Sequence, residues 1–245
     1  MMRLTVVALL FLSVSSFAQK KKKKEEPLLK ENAEWFQGTI MLTDGTELKG
    51  LVKYTDQSGV LSFQDGTNSK VLTATRVVGF EFFDESLQKQ RVFYTFPYED
   101  SETNVVRPLF FEVVREYSSF AILAKTDPVD VEQKLSRNPL SYSPNATALT
   151  TNRRVVVSQE ETIYLMNAQG DIKPYFKIVN EENTGMLASG DVKTKNKMLD
   201  DDLLIEFVTE PVYEKLKTFA KQNNLTFKRK EDFLKILDYY DSIRL

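Results

Sequence analysis

The sequence predicts an α+β protein: an antiparallel β-barrel or roll with a helical cap at its C-terminal end. Two observations predict it. From Trp35 to Met166 the chain reads as short runs rich in apolar and β-branched residues, several of them bounded by tight-turn signals. After Pro211 the period changes, and apolar residues recur at helical spacing. Regular short strands joined by tight turns suit a small barrel or roll.

The first β signal is WFQGTIMLTDGTELKGLVKYTD, in which Asp44-Gly45 marks a hairpin. The faces fix its loop length. Opposed residues of a strand pair lie on one face. A two-residue loop would set Ile40 and Leu42 on the opposite face from Leu48, Val52 and Tyr54. A three-residue loop, Thr43 to Gly45, pairs Leu42 with Thr46, Ile40 with Leu48, Gly38 with Gly50 and Phe36 with Val52. The apolar residues then agree, so the sequence predicts a type I turn with a bulge and Gly45 at positive φ. A second turn lies at Asp65-Gly66-Thr67, with its loop length open. Further strands are expected at Val77–Phe83, Arg91–Phe96, Leu109–Glu116, Phe120–Lys125, Val155–Val157 and Thr162–Met166.

A Pro-, Ser-, Asn- and Thr-rich stretch near 126–154 predicts a long surface loop, with room for one helical turn at Asp130–Leu135. Pro211 opens a helix with Val212, Leu216, Phe219 and Ala220 on its apolar face, ending near Asn223-Asn224. A second helix carries Phe233, Ile236, Leu237 and Tyr240 as its stripe, with Glu231 and Asp232 at its positive end. For Leu203–Val208 helix and strand both stay open. The expected organisation is a signal peptide at 1–18, a charged disordered tail at 19–33, a β-rich domain at 34–190 and a helical region at 191–245.

The leader reading rests on MMRLTVVALLFLSVSSFAQ. Arg3 precedes an uncharged run of 15 residues, Leu4 to Ala18. That is short of the ~20 needed to cross a bilayer as a helix. Small residues at Ser16 and Ala18 suit a signal peptidase, so cleavage is expected between Ala18 and Gln19. The five lysines that follow become a solvated tail rather than a nucleic-acid arm. Loss of Arg3 moves the formal charge from −2 to −3, which gives no strong field toward nucleic acid. No transmembrane span is expected in the mature chain, and the location is periplasmic or extracellular.

The chain has no Cys and no His. Their absence excludes a Cys-linked lipid anchor, Ser-His-Asp and Cys-His catalysis, thiol redox chemistry and ordinary zinc sites. No cofactor is implied. Carboxylates, Lys, Tyr, Ser and Thr remain, so the enzyme alternative is a carboxylate-dependent hydrolase acting on an extracytoplasmic polymer. Asp200-Asp201-Asp202 lacks the alternate spacing and glycine of a calcium loop. Asn145-Ala146-Thr147 and Asn224-Leu225-Thr226 fit the glycosylation pattern. In RVFYTFPYED, Tyr94, Phe96 and Tyr98 alternate on one strand face. They are either core packing or a stacking platform for a sugar or peptide.

Ile40, Leu42, Asp44-Gly45, Gly50, Leu51, Asp56, Val60-Leu61 and Asp65 resemble the opening motif of Sm-like and SH3-like barrels. The resemblance implies barrel geometry. Gln57-Ser58-Gly59 stands where that family has Met-Asn, and a second motif with its Arg-Gly pair is missing. The leader, GTIMLTDGTELKGLVKY and the VYEKLKTFAKQ and EDFLKILDYYDSI segments together resemble a loose group of exported Bacteroidota envelope proteins of unknown function. This implies an exported, non-enzymatic envelope protein acting by binding or scaffolding, on an envelope protein or a glycan. It brings no catalytic residues.

Overall fold

A computed structural model describes residues 34–56, 58–100, 104–127, 130–136, 152–183 and 192–244. The expected leader, the Ala18/Gln19 junction, the 19–33 tail and Asn145 lie outside the described residues.

The first hairpin joins β1 (Phe36–Leu42) to β2 (Glu47–Thr55) in the register that the faces demand. Phe36 opposes Val52, Gly38 opposes Gly50 and Ile40 opposes Leu48. Gly45 N–H donates to Leu42 O at 3.0 Å, and Gly45 has φ +84°. Asp44 Oδ1 accepts from Thr46 N–H at 2.9 Å and fastens the turn. β3 (Val60–Asp65) and β4 (Asn68–Leu72) then follow through a two-residue loop, with Asp65 opposite Asn68. β5 (Val77–Asp84) returns to pair with the other edge of β1.

β6 (Lys89–Asp100), β7 (Val105–Glu116) and β8 (Phe120–Thr126) continue as antiparallel neighbours. One long strand, β10 (Asn152–Asn167), covers the two short strands expected at Val155–Val157 and Thr162–Met166. Its second half pairs with β8 and its first half with β9 (Asp130–Ser136). The segment expected to hold a helical turn is therefore a strand. The free edge of β10 offers it a ladder that no local signal announces. β11 (Ile172–Asn183) and β12 (Val192–Met198) complete the sheet.

The strand path runs β12-β11-β10-β8-β7-β6-β5-β1-β2-β3-β4. It is an open antiparallel sheet with helices at its C-terminal end, and the described strands do not close into a barrel. It is strongly curled all the same. Tyr54 on β2 packs on Phe93 of β6 at 4.7 Å and Phe110 of β7 at 6.0 Å, although β1 and β5 intervene. The curl encloses a core built on Ile40, Val52, Leu61, Phe80 and Phe82. The outer strand β12 carries exposed Lys193, Lys195 and Lys197, which discourage edge-to-edge pairing with another copy.

A second core sits farther along the sheet. It is covered by α1 (Leu203–Val208), α2 (Glu210–Gln222) and α3 (Lys230–Arg244). Leu216 and Ala220 of α2, and Phe233, Ile236, Leu237 and Tyr240 of α3, are buried as the helical spacing predicts. A bulge in β11 opposes Ile163 to Phe176 and Tyr164 to Pro174, leaving Tyr175 as the extra residue. Both aromatics are thereby buried against Phe233, at 5.0 and 5.6 Å between ring centroids. Among the described residues no helix is long and apolar enough to cross a membrane.

Thr209, between α1 and α2, has φ 68° and ψ 150°. A β-branched residue is strained there by ~1–3 kcal/mol, against the ~0.5–1 kcal/mol that glycine costs in chain entropy. Thr209→Gly is therefore expected to raise stability by about 1 kcal/mol in urea denaturation.

Candidate functional site

Both cores lie on the same face of the sheet, and charged residues separate them. The alternation of β6 produces this. Phe93 faces the first core, so Arg91 and Lys89, two and four residues earlier, share its face. On β7, Phe110 faces the same core and Glu112 follows on that face. The rolled end of β2 brings Asp56 over them.

Arg91 ties the three strands together. Its Nη1 and Nη2 donate to the two carboxylate oxygens of Asp56, both at 2.9 Å. Nη2 also donates to Glu112 Oε2 at 2.7 Å, and Lys89 Nζ donates to Glu112 Oε1 at 2.7 Å. The guanidinium lies 4.9 Å from the Phe93 ring and 5.7 Å from that of Phe82. Its Nε is buried and finds no hydrogen-bond partner among the described residues. Buried Asp84 stands 3.9 Å from Nη1 and accepts from Ser86 Oγ and Leu87 N–H, which shapes the β5–β6 turn.

Burial pushes the Glu112 carboxyl up, but the charge and hydrogen bond of Arg91, aided by Lys89, outweigh it and hold the group at about 2. Burial acts to lower Arg91, and Asp56 and Glu112 more than reverse this, so it is held above its ordinary range. Across the cleft Lys230, the first residue of α3, pairs with Glu161 of β10. Thr126, Gln159 and Asn180 supply uncharged polar groups, and Leu87 closes one side. The cavity holds about 220 Å³.

These groups form a compensated set. Three cations, Lys89, Arg91 and Lys230, face three anions, Asp56, Glu112 and Glu161. Glu112 is ionised at neutral pH and accepts hydrogen bonds without a proton to donate. A hydrolytic carboxyl pair needs one member kept protonated by a raised pKa, whereas Glu112 is moved the other way.

Of this set the sequence reading named Asp56 alone, as part of the Sm-like opening and not as a charge partner. The available signal was alternation: once Phe93 and Phe110 are inward, Arg91 and Glu112 must be too. Two charged residues at inward positions of neighbouring strands are a pairing signal.

Tyr94, Phe96 and Tyr98 lie on the opposite face of the sheet, together as their spacing predicts. Phe96 packs on Phe111 at 6.2 Å, and Tyr98 on Phe111 and Tyr164 at 5.6 and 5.5 Å. Both are half-buried in a small aromatic cluster. Tyr94 is 42% exposed and lies over Gly79, where an added Cβ would meet its ring at 2.8 Å. That glycine leaves room for the ring.

Asp200 Oδ1 accepts from Asp202 N–H and Leu203 N–H, both at 3.1 Å, so it starts α1. Among the described residues no three acidic side chains are grouped to hold a metal ion. Asn224 occupies the exposed turn after α2, at φ 54°. Comparison of the chain with protein-family models, curated proteins and solved structures finds no match.

Proposed function

We propose that this is an exported, non-enzymatic protein of the cell envelope that acts by binding or scaffolding, outside the cytoplasm. The observation that carries the reading is the cleft itself: a concave site whose charges are mutually fixed. Pre-paired charges orient a ligand without exchanging protons, which suits recognition better than acid–base catalysis. The Arg3-led apolar stretch and the resemblance to exported Bacteroidota envelope proteins support the location. The curl of β1–β5 supports reading that half as a barrel-like roll of SH3 type. The cleft's balanced charges give a polyanion no purchase, so nucleic acid is not the partner in this reading.

The test is fractionation of the native cell with mass spectrometry of the isolated protein, followed by its use as bait in the envelope fraction. We expect a mature N-terminus at Gln19 and capture of an envelope protein or glycan. An intact Met1 or Met2 on a cytosolic protein would overturn the reading.

A further inference from the structure

We propose that the cleft is a subsite for a neutral, hydroxyl-rich glycan, read by Thr126, Gln159 and Asn180; this rests on the binding reading above and names the ligand class. The chemistry of the walls excludes the other classes in turn. A phosphate, sulfate or uronate needs unspent positive charge. Here Lys89 and Arg91 are bonded to Glu112, Arg91 is also forked onto Asp56, and Lys230 is paired with Glu161. A hard cation needs free carboxylates, and these three are engaged by the same pairs. A peptide of ordinary composition needs apolar pockets for its side chains, and Leu87 is the one apolar residue in the lining.

What the cleft does offer is neutral hydrogen-bonding capacity. Among the described residues the side chains of Thr126 and Gln159 make no hydrogen bond. Gln159 therefore presents an acceptor oxygen and two N–H donors, and Thr126 a hydroxyl that can act either way. Asn180 Oδ1 accepts from Thr194 Oγ1 at 2.8 Å, which orients its amide and keeps its two N–H donors. The three residues sit on neighbouring strands β8, β10 and β11 and share one face. Donors and acceptors that alternate over a few ångströms match vicinal hydroxyls, each of which can give and accept. The carboxylate lone pairs of Glu112 and Glu161 left over from their ion pairs add acceptors that suit the same groups. At about 220 Å³ the cavity is smaller than the ~300–1,000 Å³ of pockets that enclose drug-sized ligands. It suits one residue of a chain that runs on into solvent.

The experiment is backbone-amide chemical-shift mapping of the mature protein with neutral trisaccharides: maltotriose, cellotriose, mannotriose and chitotriose. Trigalacturonate and inorganic phosphate serve as anionic comparisons. We expect at least one neutral sugar to shift the amides of Thr126, Gln159 and Asn180. Its affinity should be unchanged when salt is raised from about 0.05 to about 0.5 M. Gln159→Ala and the nearly isosteric Gln159→Glu should each weaken binding about tenfold. Phe83→Ser, on the opposite face and 44% exposed, should not. The inference is overturned if no neutral sugar moves these amides, if the shifts map instead to Tyr94 and its neighbours, or if only an anion binds, in a salt-dependent way. Those results with an envelope protein still captured by the bait would remove the glycan and leave the binding reading standing.

Discussion

Arg91→Met is expected to destabilise the protein by about 3–5 kcal/mol, because it leaves Glu112 buried without its main partner. Arg91 and Glu112 are each 9% exposed at the side chain, so water cannot replace the lost bonds cheaply. Lys89 remains 2.7 Å from Glu112, but it is 43% exposed and its charge is better screened. The loss should come from the orphaned carboxylate rather than from the ion pair's own worth. Arg91→Met with Glu112→Leu should then recover most of it, since Asp56, at 35% exposure, can turn to solvent. Urea denaturation of the two single variants and the double variant measures this. A double variant no better than Arg91→Met alone would show that the pair itself holds the roll to the rest of the sheet.

The same pair sets a pH dependence. Folding lowers the Glu112 pKa from its ordinary 4.5 to about 2, so its contribution is present above 4.5 and is lost as pH falls through 2. The amplitude is on the order of 3 kcal/mol. In Arg91→Met this acid limb should shrink, because burial then opposes ionisation with less to outweigh it. Stability measured between pH 2 and pH 6 reads the difference directly.

Phe233→Ala should cost about 3–5 kcal/mol by opening a cavity beneath α3. The ring is fully buried and touches both Tyr175 and Phe176, the two residues that the β11 bulge turns inward. Among the described residues the buried Tyr175 hydroxyl has no partner, so a water entering the new space would gain one bond and bring the cost toward the lower figure. For a domain of this size the change corresponds to about 2–4 °C of midpoint per kcal/mol. The two cores are separate, so the damage should be local. Hydrogen exchange is expected to rise first in α2 and α3, with β1–β5 following only on global unfolding. Equal loss of protection in β1–β5 would mean that the cores unfold as one unit.

Much of the fold was legible wherever the deciding forces act over a few residues. The Thr43–Gly45 turn was, because one glycine and one alternation pattern fix both loop and register. The stripes of α2 and α3 were legible because helical spacing puts Leu216, Ala220, Phe233 and Ile236 on single faces. β11 was not, since the bulge at Tyr175 interrupts its alternation and lets two successive aromatics face inward. β9 was not, since its ladder comes from β10 rather than from its own composition.

By itself, then, the sequence determined the local turns and helices and, through its lack of Cys and His, the chemistries that the protein must do without. Only the tertiary structure decided where the charges meet. Asp56, Arg91 and Glu112 lie on three strands, with Arg91 35 positions from Asp56 and 21 from Glu112. Each looks like an ordinary solvated side chain in its own segment. They become a site because the curl of the sheet brings the end of β2 over β6, and because two apolar cores that do not merge leave a polar gap between them.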